Sequence, residues 1–176
     1  MYETLLKYGY PNGWPDKVQH ENFLNLLTAL KFRNKEINQL SVLDVGCGTG
    51  DLYYVLKLLG CKNYTGIDNF APSLRIARSR YPDGNFIEKS ALHNTNYYDY
   101  IFASGLISNM DKMSAQLTLH FLWQYCKTAF SFNFISEPTE YLAWYDVDEM
   151  TDYCEQFCNT MSLISCGNQT TIILQK

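Results

Sequence analysis

VLDVGCGTGDL, residues 42–52, joins a short apolar run, Ser41 to Val45, to the apolar-periodic stretch Leu52 to Leu59 through Gly46, Gly48 and Gly50. A buried strand must turn sharply here into a helix, and glycine allows the backbone a positive φ and a close approach to a ligand. The alternation continues on the C-terminal side. Tyr64 to Ile67 reads as strand, Pro72 to Ser79 as helix and Asn85 to Ile87 as strand; Tyr98 to Ala103 follows as strand, Ser114 to Thr128 as helix and Ala129 to Ile135 as strand. Strands alternating with helices require right-handed crossovers and a mainly parallel sheet, so the fold class is α/β.

Both flanks of this unit carry their own signals. From Lys7 to Pro15 the run KYGYPNGWP reads as an ordered turn. Between Lys17 and Phe32 the apolar residues Val18, Phe23, Leu26, Leu27 and Leu30 recur at helical spacing, which predicts one buried stripe at the edge or mouth of the domain. After Glu137-Pro138 breaks the chain, Val147 to Asn159 is helical by spacing, and Met161 to Ser165 and Thr170 to Leu174 are strands. The short gap between those two strands permits a hairpin and no helical crossover, so the last strand must run antiparallel to its predecessor.

At 176 residues, 47% hydrophobic and 15% aromatic, the chain has material for one sizeable core, which predicts a single domain over 1–176. No apolar stretch approaches the length of a membrane span, and Met1-Tyr2-Glu3 begins neither a basic nor a greasy leader, so a cytoplasmic protein without a membrane partner is expected. Six cysteines (Cys47, Cys61, Cys126, Cys154, Cys158, Cys166) are expected to be reduced and mostly buried. Cys154 and Cys158 lie one helical turn apart with no histidine or CxxC partner, which does not make a zinc site. The net charge of -4 does not advertise a broad phosphate-binding surface, although Lys31-Phe32-Arg33-Asn34-Lys35 and Arg75, Arg78 and Arg80 are local basic clusters.

Glycine spacing narrows the ligand. A dinucleotide fingerprint places its third glycine three residues after the second, so that a helix N-terminus cradles a pyrophosphate. Here Gly50 comes two after Gly48, and Asp44 stands two before Gly46. An acid at the strand end repels a pyrophosphate but suits a ligand carrying an ammonium and a sulfonium, namely S-adenosylmethionine (SAM). With these residues the sequence resembles the class I SAM-dependent methyltransferase family. The resemblance implies a Rossmann-like, doubly wound, seven-stranded, mainly parallel sheet with an antiparallel last strand and helices on both faces. It places Asp44, Gly46, Cys47, Gly48 and Gly50 against the methionine part of the cofactor, and S-adenosylhomocysteine (SAH) as the product.

Three further matches follow. In GIDNF, Asp68 ends the second strand about two dozen residues after Asp44, where a carboxylate can accept both ribose hydroxyls; Asn69 and Phe70 then flank the adenosine. In Glu88-Lys89-Ser90-Ala91-Leu92, Ser90 and Ala91 align with the adenine contacts of the family, serine standing where a carboxylate is commoner. In YDYIFASGLISN, Asp99 precedes the fourth strand, and Ala103, Ser104 and Gly105 open beside the first strand at the switch point. Ile107, Ser108 and Asn109 are therefore expected to line the active site. YGYPNGW near the N-terminus and LAWYDVDEMTDYCEQF near the C-terminus extend the resemblance to small bacterial or phage-type methyltransferase-domain proteins, with residues 1–40 a helical cap over the cofactor and acceptor mouth.

Methyl transfer from a sulfonium is an in-line displacement that needs chiefly an aligned acceptor, and a base only where the acceptor must lose a proton. Acceptor-side candidates are His93, Tyr97, Tyr98, Glu137, Tyr141, Tyr145 and Asp146, of which His93, Tyr141 and Tyr145, with Asn109, are the catalytic candidates. His120 reads as a structural or surface residue. The run ASGL stands where amino-methylating enzymes of adenine or cytosine carry [DN]-P-P-[YFW], and no Pro-Cys nucleophile occurs there. Nor does a metal-ligand cluster stand out. The expected activity is methyl transfer to a small molecule. RNA or a protein side chain as acceptor, and a SAM-binding domain without transfer activity, are the alternatives; oligomeric state is not legible.

Overall fold

The computed structural model describes residues 16–140 and 142–176; the KYGYPNGWP turn and Tyr141 lie outside the described residues. Helix α1 (Asp16–Leu27) passes into a 3-10 turn (Thr28–Phe32) and leads to strand β1 (Ser41–Val45). There follow α2 (Asp51–Leu58), β2 (Asn63–Asp68), α3 (Ala71–Arg80), β3 (Phe86–Glu88), β4 (Tyr98–Ala103), α4 (Lys112–Gln124), β5 (Cys126–Ile135), α5 (Val147–Glu155), β6 (Thr160–Cys166) and β7 (Gln169–Gln175). The seven strands form one sheet in the order β3-β2-β1-β4-β5-β7-β6. Strands β1 to β5 are mutually parallel, and β7 runs antiparallel to both β5 and β6. This is the doubly wound sheet with one reversed strand that the alternation of elements predicts.

Buried strands alternate their side chains between two cores. On one face Leu43, Val45, Ile101 and Ala103 meet Ala115, Leu119 and Leu122 of α4 and Met150 and Cys154 of α5. On the other, Val42, Tyr64, Tyr100 and Phe102 meet Phe23 and Leu26 of α1, Leu52 and Leu56 of α2, and Leu74 and Ala77 of α3. Asp44, two residues after Val42, shares this second face. Asp111 and Asp146 cap α4 and α5 by accepting from Ser114 N–H and Glu149 N–H, satisfying first-turn donors.

Several boundaries differ from the sequence reading: the helix expected over Val147 to Asn159 ends at Glu155, and the strand expected from Ala129 begins at Cys126. The helix expected over Ser114 to Thr128 stops at Gln124, because Tyr98 and Cys126 already pair as strand partners and the Tyr98 N–H bonds Tyr125 O. No Gly or Pro marks that change, so the apolar run conceals it. Asp99 lies within β4 rather than before it, and its carboxylate accepts from both the amide and the hydroxyl of Ser41, locking the starts of β1 and β4 together. All six cysteines are free thiols, and only Cys166 is exposed.

Candidate functional site

β1 ends where the glycine turn folds over its neighbour. The amides of Gly46 and Cys47 both donate to Ile67 O of β2, at 2.8 and 3.1 Å, which bends the chain across the carboxyl end of the sheet. Gly46 has φ +73°, and a Cβ there would sit 3.1 Å from Leu106 Cδ1, so the turn after β1 touches the loop after β4. That meeting is the switch point: neighbouring strands send their chains to opposite faces and leave a crevice between. Asp68, at the end of β2, spans it. One carboxylate oxygen accepts the Gly48 N–H at 2.9 Å and the other the Phe70 N–H at 2.8 Å.

The crevice is a cleft of 490 Å³, within the roughly 300–1,000 Å³ of small-molecule sites. Its middle is walled by Asp44, Gly46, Cys47, Gly48 and Asp68. At one end stand Asn69 and Phe70 after β2, and Lys89, Ser90, Ala91 and Leu92 after β3. At the other stand Ser104, Gly105, Leu106, Asn109 and Met110 after β4, Ser114 and Thr118 of α4, and Leu142 after β5. Gln19 and Phe23 of α1 also line it.

Two groups in the cleft have their acidity set by burial. Asp44 is 2% exposed; burial, partly offset by the hydrogen bond from the Tyr64 hydroxyl at 2.7 Å and reinforced by Asp68 and Asp51, pushes its carboxyl up to about 7. Burial and then the Asp44 and Asp68 charges push the Cys47 thiol far above its ordinary value, so Cys47 stays protonated and is no nucleophile.

Of the residues singled out from sequence, Asp44, Gly46, Cys47, Gly48, Asp68, Asn69, Phe70, Ser90, Ala91, Ser104, Gly105 and Asn109 come together in this one cleft. The other described candidates stand outside its lining, Tyr98 among them as a core residue. Gly50 is buried at the start of α2, where a Cβ would lie 2.9 Å from Phe86 Cζ. Ala103 is fully buried in the α4-side core. His93 is exposed at the end of the 3-10 turn Ala91–His93. Tyr145 is buried, and its hydroxyl donates to Met110 O at 2.7 Å with Ile107 O at 3.2 Å. Ile107 and Ser108 are likewise buried behind the wall, Ser108 Oγ accepting the Ile135 N–H at 2.8 Å and Ser108 O the Ala143 N–H. Asp146 is engaged as a helix cap, and Tyr97 and Glu137 are exposed.

Tyr145 therefore acts on loop shape. Burial pushes its phenol up to about 12, so it is not a base near neutral pH, and its proton serves the carbonyls of the loop that carries Asn109. Asn109 Nδ2 donates back to Gly105 O at 2.7 Å, and Gly105 N–H donates to Asn133 Oδ1 at 2.7 Å, so the loop is bonded at several points. Tyr145→Phe leaves these buried acceptors short of a donor, and an equilibrium urea titration should show a loss of about 1–3 kcal/mol. A variant as stable as the wild type would remove Tyr145 from this role.

Lining residues given no role from sequence include Thr49, Asp51 and Lys89 within or beside the matched motifs, and Leu106, Met110, Ser114, Thr118 and Leu142 beyond them. The first three adjoin motif positions and could have been found by extending the motifs. The others come from a loop, a helix face and a post-strand segment whose convergence no spacing announces.

The family model described as "Methyltransferase domain" matches residues 42–129. A demethylmenaquinone methyltransferase of Thermotoga maritima is 41% identical over 103 residues, 58% of this chain and 39% of that protein. A trans-aconitate 2-methyltransferase of Rhodopseudomonas palustris is 45% identical over 53 residues, 30% of this chain and 21% of that protein. The chain thus spans well under half the length of these curated relatives. Among solved structures, a magnesium protoporphyrin IX methyltransferase from Synechocystis PCC 6803 with bound SAH superposes with a TM-score of 0.76 at 12% identity, over 90% of this chain and 83% of that one. At that identity the likeness is one of fold.

Proposed function

The chain belongs to the methyltransferase domain family, and from that premise we propose that it binds SAM in the cleft at the switch point and transfers the methyl group to a small molecule. The observation that carries the reading is Asp68: it holds both turns that flank the cleft while facing into it. A carboxylate offers about four lone-pair sites, and two backbone amides occupy two of them. The others suit a pair of ribose hydroxyls. At Gly46 an added Cβ would crowd Leu106 Cδ1 at 3.1 Å, and the bare backbone there suits a ligand lying against it.

On this assignment Phe70, Ser90 and Ala91 take the adenine, Asp68 the ribose, and Asp44 with the glycine turn the amino-acid end. SAM supplies an electrophilic methyl on a sulfonium. The chain's own residues orient the partner: Asn109 is fixed by its bond to Gly105 O, and Phe23, Met110 and Leu142 add apolar wall to the cleft. Such a mixed apolar and uncharged-polar lining suits a small, largely apolar acceptor.

The basic clusters favour RNA less than their sequence suggests, since every cation in them except the exposed Arg75 has a partner within the chain. Lys31 lies over the Phe32 ring, the Arg33 guanidinium bonds Leu30 O, and Lys35 lies 4.0 Å from Asp99. Arg78 bonds Phe86 O, and Arg80 pairs with Asp51 at 2.8 Å. These cations are engaged within the chain. Among the described residues no helix is long and apolar enough to cross a membrane.

Calorimetric titration with SAM and with SAH tests the reading. One ligand per chain is expected, with a dissociation constant unchanged by added RNA. Absence of binding to the wild type defeats the cofactor assignment; tight RNA binding that weakens steeply with salt defeats the small-molecule one.

A further inference from the structure

β1 delivers Asp44 to the floor of the cleft, almost wholly shielded from solvent. The groups around it are mostly acidic or neutral. From β2 come the Tyr64 hydroxyl, donating at 2.7 Å, and the Asp68 carboxylate; from α2 comes Asp51, whose charge Arg80 shares; from the turn comes the protonated Cys47 thiol. Its partner across the ladder in β4 is Phe102 and in β2 Gly66, neither of which carries charge. Lys89 stands at the Ser90 end of the cleft, and the Arg78 guanidinium is spent on Phe86 O. A carboxylate in this position has lost its hydration and faces two like charges, so either a proton or a ligand's cation must compensate it.

Resting on the reading that the cleft holds SAM, we propose that Asp44 selects the ammonium-bearing end of the ligand by proton exchange: it keeps a proton in the empty cleft and releases it to solvent when the ammonium takes the proton's place. The exchange balances simply. The Asp44 O–H bond breaks, the proton passes to buffer, and an ion pair with the ligand replaces it. With the empty-state carboxyl pushed up to about 7, the neutral form dominates below that pH and the ionised form above it.

The sign follows from linkage. An acid whose pKa falls on binding makes affinity rise with pH, so below pH 7 the dissociation constant should fall about tenfold for each unit of rise, then pass through a minimum and climb again as the ligand's own α-ammonium loses its proton at about 7.7–8.0. Close to one proton should leave per ligand bound at about pH 6; by about pH 8 the release from Asp44 has dwindled to about a tenth of a proton, and uptake by the partly unprotonated ligand amine reverses the sign.

Titration in buffers of unequal ionisation enthalpy counts those protons without any acceptor or turnover. SAM, SAH and 5′-methylthioadenosine are the probes; the first two carry the ammonium, and the third is neutral and lacks the amino-acid end. Release is expected with SAM and SAH and not with methylthioadenosine. Asp44→Asn should abolish release while still binding methylthioadenosine, which also reports that the variant is folded. Tyr64→Phe, which removes a bond favouring the carboxylate, should move the release profile to higher pH. Binding of SAM and SAH without release overturns the inference and leaves the cofactor reading intact. Release by SAM alone, or equal release by methylthioadenosine, overturns the assignment to the ammonium end. Binding of none of the three overturns both readings.

Discussion

Asp68→Ala is expected to weaken SAM binding by roughly 10²- to 10⁴-fold, since each hydrogen bond to a charged group contributes about 1.5–3 kcal/mol and the ribose would lose two. Asp68 has a second task that sets the size of the effect. Its oxygens hold the Gly48 and Phe70 amides at 2.9 and 2.8 Å, one on each side of the cleft, so removal also frees the two turns that the ligand must bridge. Both amides lie on partly exposed residues, where water can replace the carboxylate. The cost to folding should therefore be small beside the cost to binding, about 1–2 kcal/mol. Asp68→Asn separates the contributions: it keeps the shape and one acceptor oxygen, and should lose less affinity than alanine. Calorimetry for binding and urea titration for stability give the two numbers. If alanine and asparagine weaken binding equally, acceptance of ribose hydroxyls is not what Asp68 contributes.

The sheet was legible because its strands are short apolar runs punctuated by glycine and by the amphipathic spacing of helices. Tyr98 to Ala103 and Ser41 to Val45 match the structure at both ends, and the four residues from Cys166 to Gln169 forced the hairpin that reverses β7. The motif acids were legible for a related reason: charge at a strand end is rare enough to demand a use. What spacing could not supply was direction. Gly50 belongs to the same G-x-G-x-G turn as Gly46 and Gly48, yet it turns toward α3 and β3 rather than the cleft. Tyr145 follows β5 at the height where an acceptor residue would stand, but its ring points under the loop and its hydroxyl is consumed there. Thr118 of α4 and Met110 of the loop before it reach the cleft through packing that the local sequence does not announce.

Gly50 offers the second large effect, on folding rather than binding. It precedes α2 with φ +83°, a conformation that costs an L-residue about 1–2 kcal/mol. A Cβ would also lie 2.9 and 3.0 Å from the Phe86 ring and 3.1 Å from Tyr81 Cδ2. Those rings cannot swing aside. Phe86 is buried and packs edge-on against Tyr53 and Tyr64 at 5.6 and 5.8 Å, and Tyr81 packs against Tyr53 at 5.5 Å. Overpacking of this kind adds about 1–3 kcal/mol, so Gly50→Ala should lose roughly 2–5 kcal/mol of a total that is typically about 5–15. Gly167→Ala is the control, because Gly167 also has positive φ, +58°, but nothing lies within 4 Å of the added carbon. It should lose only the backbone contribution. Since Gly50 does not line the cleft, the folded fraction of Gly50→Ala should bind SAM with wild-type affinity. Equal losses in the two variants would mean that the aromatic cluster yields to the extra carbon, and a loss of affinity at full folding would return Gly50 to the ligand's side of the turn.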